Sequence, residues 1–507
     1  MKMFNYNRRD FLKTIGMGAA ALVMQGCTGP SPQIAQITDS NTAEKPNFII
    51  ILVDDLGWAD TCCYGSKYYE TPNIDKLAAQ GMLFTNGYAA CAVCSPTRAA
   101  VLTGRYPARI GVTDWIHFYN FKGNRTLPHQ KQSTKYIADK SKKLLTPPNP
   151  YWMKLNEVTI AEILKPAAYT SCHIGKWHLG PDAWYPEKQG FDYNIAGCDI
   201  GQPPNYFDPY HRNKKRPNIP TLKPQQKGQY LTDREALEAV NFIKNHRKKP
   251  FFLYMAHYAV HTPIQAKKEL IEKYKAKKPT NQKNPKYAAM VESVDDAVGK
   301  ITAALDEYNL TDNTVVIFTS DNGGLWPIAT DNTPLRAGKG HPYEGGIREP
   351  LIIRWPGIVK AGSVCHTPVT SIDYLPTICQ AAGLKPPIDR IIDGENLLPL
   401  LKQTGPLKRD AIYWHYPHYR GKLVPYSIIR CGSWKLIKRY EGKKFELFNL
   451  KNDISEKNDL SQQMPEKVEA LDTKLIAWLK ATGAKLPKNN PDYNPTAESK
   501  RKARNKK

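Results

Sequence analysis

A chain of 507 residues is long enough for two or more domains with a large core. Its 72 Lys and Arg outnumber 47 Asp and Glu, and the formal charge of +25 favours polyanionic partners: a sulfated polysaccharide, a nucleic acid or an anionic membrane face. No nucleic-acid-binding motif accompanies that charge, the aromatics are spread along the chain, and the basic run K-R-K-A-R-N-K-K over 500–507 supplies part of the excess, so nucleic acid is disfavoured.

Residues 1–27 read as an export signal. Arg8 and Arg9 precede an apolar run from Ile15 to Met24, followed by Gln25-Gly26-Cys27. N-R-R-D-F-L-K looks like a twin-arginine signal, and M-Q-G-C looks like a bacterial lipobox that would place a lipid on Cys27. The apolar run is short for a transmembrane helix. Cleavage nearby to give a soluble periplasmic protein is the other reading. Residues 28–45, rich in Ser, Thr, Pro and Gln, form a flexible tether.

Asn47 to Val53 is a continuous apolar run of strand length, which predicts a strand buried on both faces, as parallel sheets require. Asp54 and Asp55 come directly after it. Thr314 to Ser320 repeats the pattern and ends in Asp321-Asn322-Gly323-Gly324. Ligands of open α/β sheets bind outside the carboxyl ends of the strands. Adjacent carboxylates there repel unless a cation lies between them. Either pair alone is as readily a turn or a helix cap. Together, Asp54, Asp55, Asp321 and Asn322 offer hard oxygens suited to Ca²⁺ or Mg²⁺; Zn²⁺ would call for His or Cys.

Thr71-Pro72 opens a helix that Gly81 ends. Cys94 stands just before Ser95 and Pro96, a residue able to cap a helix and one that fits its first turn. Ala99 to Leu102 carry that helix and Gly104 closes it. Cys94 therefore sits at a helix N-terminus, which favours an anion, and Arg98 lies one turn up the same face. Taken alone, the cysteine is equally a small core residue. Apart from Cys27 and Cys94, the cysteines show no paired ligand spacing, and disulfides stay open.

Residues 114–154 break the α/β rhythm with Lys, Pro, Asn and aromatics, including Trp115, His117 and Trp152; they read as an insertion over the site. If 175–180 (G-K-W-H-L-G) is extended, Lys176 and His178 point to the same face, a fixed charge beside a titratable group. A surface Lys and a packed His are the plainer alternative. A second long loop spans 199–230. Thr232 caps a helix from Asp233 to about Asn245, and Phe251 to Met255 is another buried strand, leading to His257 and His261.

An amphipathic helix covers Tyr287 to Leu305. Lys339 lies among glycines that let the backbone approach a ligand closely. Pro and Gly cluster through 382–406. Beyond them, Ala411–Tyr416, Tyr426–Arg430, Trp434–Arg439 and Phe445–Asn449 read as short strands, followed by a helix from about Glu466 to Leu479. Residues 487–507 read as a disordered basic tail.

C-S-P-T-R-A-A-V-L-T-G-R over 94–105 resembles the active-site motif of the type I sulfatases, C-x-P-x-R followed by T-G-R. The two strand-end acidic pairs, T-P-N-I-D-K-L-A at 71–78, G-K-W-H-L-G, His261 before x-Pro, and G-K-G-H-P-Y-E-G-G-I-R-E-P at 338–350 occur in the family's order. The resemblance spans most of residues 45–480. It implies an α/β, alkaline-phosphatase-like fold: a large central mixed or mostly parallel sheet sandwiched by helices, with a small C-terminal α+β subdomain built on an antiparallel sheet. The boundaries drawn are 46–395 for the catalytic domain and 396–486 for the subdomain.

By the same resemblance, a formylglycine-generating enzyme converts Cys94 to formylglycine, whose hydrated aldehyde attacks sulfur. Asp54, Asp55, Asp321, Asn322 and the modified Cys94 hold Ca²⁺. Arg98 favours the ionised nucleophile, and Lys176 and Lys339 stabilise the sulfuryl oxygens. His261, alone or with Lys339, protonates the leaving alcohol, and His178 takes the remaining hydroxyl proton. Export and charge suggest a sulfated glycan, with Arg336, His117, His211, Arg212, His415 and His418 as candidates for its rim. A phosphonate monoester or phosphodiester hydrolase using the same formylglycine is an alternative, and so is a catalytically silent polyanion-binding surface lipoprotein.

Overall fold

The run N-F-I-I-I-L-V forms β1 (Asn47–Val53), buried along its whole length. The computed structural model describes residues 45–116, 132, 134–211, 218–497 and 499. In chain order β1 is followed by β2 (Met82–Tyr88), β3 (Leu144–Leu145), β4 (Thr170–Gly175) and β5 (Tyr193–Ile195). Then come β6 (Phe251–Ala256), β7 (Thr314–Ser320), β8 (Arg348–Arg354), β9 (Ser363–Cys365) and β10 (Val369–Thr370).

Nine of these strands form one sheet in the order β10-β2-β8-β7-β1-β6-β4-β5, with β9 also paired to β2. The pairs β7·β1, β1·β6, β6·β4 and β4·β5 are parallel, while β8 runs antiparallel to both β7 and β2. The sheet is mixed, with a parallel centre. Val53 is level with Ser320, Leu52 with Ala256, and Ala256 with Gly175. Four neighbouring strands therefore end at one height, and the residues just beyond their ends converge at one place.

Alternate residues of β1 serve opposite faces, because successive side chains of a strand point to opposite sides. Ile49, Ile51 and Val53 pack with Phe242, Met290, Val294 and Ile301, from the helices Leu231–His246 and Pro285–Glu307. Phe48, Ile50 and Leu52 pack with Ala99, Val101, Leu102, Leu375 and Ile378, from the helices Cys94–Thr103 and Tyr374–Ala381. A layer of helices on each face leaves the strand ends as the open edge.

The predicted C-terminal strands are present as β11 (Ala411–Tyr416), β12 (Tyr426–Cys431), β13 (Trp434–Arg439) and β14 (Phe445–Asn449), all antiparallel neighbours. One face takes the helix Pro465–Ala481 through Leu471, Leu475 and Leu479. The other takes Tyr88, Cys91, Ala92, Val93, Tyr343 and Ile347. The small sheet thus supports the segment entering Cys94.

Three local expectations change. Tyr230, not Thr232, precedes the first residue of the helix Leu231–His246. Asn284 caps the helix Pro285–Glu307 by accepting from Lys286 N and Tyr287 N, so it starts earlier than periodicity indicates. Part of the tail expected to be disordered is ordered: Lys488–Asn489 form β15, which pairs antiparallel with β3. Asn490 Nδ2 then donates to the carbonyls of Asp139 and Lys142. A tail can be polar and still be fixed when its backbone and side chains find partners in a loop far off in sequence. Among the described residues no helix is long and apolar enough to cross a membrane.

Candidate active site

Cys94 is the first residue of its helix. Val93 before it is extended, and Gly104 closes the helix in the left-handed region at φ 66°. Ser95 does not cap it. Its hydroxyl donates to His178 O (2.9 Å) and accepts from Ile116 N (2.9 Å), tying the helix start to two other segments. Burial raises the Cys94 thiol above its ordinary pKa, with Lys176 and Lys339 pulling the other way.

Asp54 and Asp55 come after β1, and Asp321 and Asn322 after β7, as the strand ends predict. Ligand atoms of Asp54, Asp55, Cys94 and His261 all lie within 4.8 Å of one another. His261 joins this group in addition to the residues expected to hold metal. Asn322 Nδ2 donates to Asp55 Oδ1 (2.7 Å), and Asp55 N donates to Asp321 Oδ1 (3.3 Å). Asp54 Oδ1, Asp55 Oδ2 and Asn322 Oδ1 are buried without a hydrogen-bond partner. Burial and the neighbouring Asp321 push the Asp54 carboxyl up to about 8. Asp55 is held below the usual carboxylate range: burial opposes this, and His261 and Lys339 outweigh it. Three unpaired buried oxygens at crowded carboxylates fit a hard divalent cation, and the residues present therefore suit Ca²⁺.

Three cations stand against the three carboxylates. Lys176 Nζ lies 2.6 Å from Asp54 Oδ2, Arg98 Nη2 is 2.8 Å from Asp321 Oδ2, and Lys339 Nζ is 2.5 Å from Asp55 Oδ1. Arg98 and Lys176 are fully buried behind the carboxylates, and Arg98 Nη1 also donates to Lys176 O (2.7 Å). Lys339 alone of the three reaches the cavity, with Nζ 3.3 Å from Cys94 Sγ. A divalent cation added to these balanced pairs would leave the site net positive, as an anionic substrate requires.

The extended run expected at 176–178 ends early: β4 stops at Gly175, and His178 has φ 59°. His178 reaches the cavity nonetheless. Its Nε2 faces Ile116 O (2.8 Å), and because a carbonyl only accepts, Nε2 carries the hydrogen. Nδ1 is then a bare acceptor, buried and without a partner. Burial, then Lys176 and Arg98, hold this histidine well below its ordinary pKa, so it is neutral. His261 has the opposite arrangement. Nδ1 faces Thr262 O (3.0 Å), and Nε2 turns to Asp55 Oδ2 (3.4 Å). His257, earlier in the same segment, is buried with Nδ1 on Glu235 Oε2 (2.7 Å).

These side chains open into a cavity of about 270 Å³, lined by Cys94, His178, His261 and Lys339 with Val93, Trp115, Gly201, Gln202 and Arg420. Gln202 and Arg420 had no local signal. Arg420 lies in the turn between β11 and β12, and only the docking of the C-terminal sheet brings it here.

The predicted rim fares differently. His415 is buried, hydrogen-bonded to Ser427 Oγ (2.7 Å) and Lys485 O (3.1 Å), and His418 is buried on Thr113 Oγ1 (2.8 Å). Burial lowers them to about 4 and about 3, so both are packed neutral histidines and neither lines the cavity. His415 lies in the strand the sequence already predicted, and Ser427 and Lys485 take up its ring, so it is not left for a rim. Arg336 stacks on Tyr343 (3.7 Å to the ring centre) and donates to Glu456 O, away from the cavity. His211 is exposed and also outside the lining. His117, Arg212 and Cys27 lie outside the described residues.

The sulfatase family model matches residues 46–384, which is more than half of the chain. The chain belongs to the sulfatase family. It is a sulfuric ester hydrolase, and an N-sulphoglucosamine sulphohydrolase C-terminal model also matches residues 338–483. Human N-acetylgalactosamine-6-sulfatase is 38% identical over 396 residues, covering 74% of this chain and 69% of the relative. A sulfatase of Formosa agariphila is 34% identical over 527 residues, covering 89% and 91%. The crystal structure of Ps i-CgsB in complex with k-i-k-neocarrahexaose is 32% identical with a TM-score of 0.72, covering 89% of this sulfatase and 94% of that chain. Family membership and the Asp-Asp-Cys-His cluster agree with a Ca²⁺-dependent formylglycine mechanism. They leave no ground for a catalytically silent lipoprotein.

Proposed function

We propose that this enzyme, exported from the cell, removes a sulfate ester from a sulfated glycan, with the residues around Cys94 as its machinery. The observation that carries the reading is the meeting of Asp54, Asp55, Cys94 and His261 within 4.8 Å at the strand ends, under a cavity that Lys339 and His178 also line. Similarity to an N-acetylgalactosamine-6-sulfatase and to a structure in complex with a neocarrahexaose supports a sulfated carbohydrate as substrate.

Asp54, Asp55, Asp321 and Asn322, with position 94, would hold Ca²⁺; Asp54 Oδ1, Asp55 Oδ2 and Asn322 Oδ1 have no hydrogen bond to give up, and Arg98 braces Asp321. When present, Ca²⁺ supplies positive charge and formylglycine at position 94 supplies the nucleophilic hydroxyl. Lys339, held charged by Asp55 and raised above its ordinary pKa against the cost of burial, fixes a sulfuryl oxygen. His261, alone or with Lys339, gives the proton for the leaving alcohol from Nε2, which turns into the site. Burial depresses His261 to about 3, Asp55 opposes that, and an arriving sulfate adds a second negative charge that favours the imidazolium. His178, neutral with Nδ1 bare, is the base on the other side. Lys176 and Arg98 act from behind by holding Asp54 and Asp321 in place.

A formylglycine-generating enzyme is the partner that matures position 94. Residues 1–27 direct export, by the twin-arginine route, with Cys27 as the lipidated residue of a bacterial cell-surface or periplasmic protein. Co-expression with that maturation enzyme, peptide mass spectrometry at position 94 and a sulfate-release screen on the same sample test the proposal. Conversion with sulfate release from a glycan supports it. Turnover by protein whose Cys94 is unmodified overturns it.

A further inference from the structure

Arg420 is the fourth cation of the site, and among the described residues no carboxylate pairs with it. Lys176, Arg98 and Lys339 each stand on one of Asp54, Asp321 and Asp55. Among the described residues the Arg420 guanidinium has no ion pair and no side-chain hydrogen bond, although it lines the cavity beside Cys94 and Lys339. The carboxylates whose charge reaches it, Asp114 and Asp55, are engaged elsewhere: Asp114 Oδ1 with Tyr416 OH (2.8 Å) and Trp115 N (2.8 Å), and Asp55 Oδ1 with Lys339 Nζ (2.5 Å). A guanidinium stays charged in any such setting, so the charge is permanent.

The position is built. Arg420 N donates to Leu423 O (3.2 Å) and Leu423 N donates to Arg420 O (2.9 Å), closing the turn that carries it. The side chain lies across Gly340, the residue after Lys339: a Cβ there would fall 2.4 Å from Arg420 Nε. Gly340 is itself held by Ala92 O (2.8 Å from its N) and by Tyr426 OH on its carbonyl (3.2 Å). The absence of a side chain at 340 thus lets Arg420 lie against the Lys339 loop. On the opposite wall, Gln202 Oε1 accepts from Thr262 Oγ1 (3.1 Å), which directs the oxygen away and leaves the amide nitrogen as the donor. Trp115 supplies an aromatic wall.

We propose that Arg420, with Gln202 and Trp115, forms a subsite for the sugar that reads a second anionic group, so that the preferred substrate carries a carboxylate or another sulfate besides the ester that is cut. The inference rests on the sulfatase reading of the site and adds the charge of the leaving group to it. Arg420 is a specificity residue here: the cut sulfate is met by Lys339 and the Cys94 helix, and the Arg420 charge is left over for a second group. A planar guanidinium suits either oxyanion bidentately, whereas a neutral hydroxyl would use little of it.

The test uses the full chain carrying C94A, which binds without turnover, and compares Arg420 with R420Q and R420K by calorimetry. The probes are galactose 6-sulfate, galactose 4,6-disulfate, and a disaccharide joining glucuronic acid to galactose 6-sulfate. Expected is a gain of tenfold or more in affinity from the second anion, retained in part by R420K, lost in R420Q, with galactose 6-sulfate changed less than threefold. The disulfate and the uronyl disaccharide separate the two anion sources. Equal weakening of all three probes in R420Q, or a second anion that tightens binding no better with Arg420 than with Gln, overturns the proposal. Turnover of 4-nitrophenyl sulfate by the mature unsubstituted enzyme is measured alongside, so that failure of the sulfatase reading is seen separately.

Discussion

The Lys339 ammonium stands 3.3 Å from Cys94 Sγ while its Nζ also lies 2.5 Å from Asp55 Oδ1, linking the nucleophile position to the metal site through one charge. Removing it leaves Asp55 buried beside Asp54 with one fewer cation. K339A should lower kcat by about 10²–10³-fold, the scale for deleting one preorganised electrostatic contact. It should also weaken Ca²⁺ retention less than D55A does. Steady-state kinetics with metal analysis of both variants checks this; an unchanged kcat would remove Lys339 from the machinery.

Cys94 is a buried residue at the start of a helix, and alanine suits a helix and differs from cysteine only by the lost sulfur. C94A should therefore keep its melting temperature within a few degrees while losing sulfate release entirely. A C94S protein should be equally inactive unless the host converts serine as well, which peptide mass spectrometry at position 94 reports.

His261 faces Asp55 through Nε2, and its other nitrogen is occupied by Thr262. A general acid matters in proportion to how poor the leaving group is. H261A should cost about 10²–10⁴-fold on a sugar sulfate. On 4-nitrophenyl sulfate, whose phenolate leaves without help, the loss should be far smaller. Equal losses on both substrates would assign His261 to metal binding alone.

Ca²⁺ fits three buried oxygens that lack partners. A chelator should abolish activity and lower the melting temperature, and Ca²⁺ should restore both. At a hundredfold excess over its Kd, a ligand of the folded state adds about 2.7 kcal/mol. Differential scanning calorimetry across a Ca²⁺ series gives the value. A melting temperature indifferent to both chelator and Ca²⁺ would contradict the site.

Lys435 bridges two carboxylates, with Nζ 2.9 Å from Glu344 Oε1 and 2.8 Å from Glu456 Oε1, all three fully buried. Burial pushes Glu456 up to about 7, while Lys435 pulls the other way; Glu344, with Arg430 and Arg348 also near, is held below its ordinary value. Unfolded, Glu456 titrates near 4.5. The folded state therefore binds that proton more tightly. The stability this gives is complete below about 4.5 and is lost as pH rises through about 7, on the order of 3 kcal/mol at most. Urea unfolding at pH 5 and pH 8 should show the fall, and E456Q should flatten it. Breaking the cluster with K435A should cost about 3–5 kcal/mol, because the buried Glu344 charge loses a buried partner.

The elements legible in the amino-acid order are those whose signals are local. An apolar run specifies β1 and β7, and the acidic residues after each can only emerge at the strand end; Pro and Gly bracket the Cys94 helix; alternation and turns mark β11 to β14. The residues from Asp54 to Lys339 could be singled out for that reason, and because the motifs occur in one order; the structure shows that Asp54, Asp55, Cys94 and His261 meet. Tertiary packing alone set which way side chains turn once distant segments dock. His178 faces the cavity from a left-handed residue, not from an extended run, with its tautomer set by Ile116. His415 and His418 turn into the packed sheet, and residues 488–489 find a partner strand at 144–145. Arg420 becomes part of the site because the C-terminal sheet packs on Ala92 and Val93. Contacts between residues hundreds of positions apart depend on how whole layers pack, and no short window of sequence carries that information.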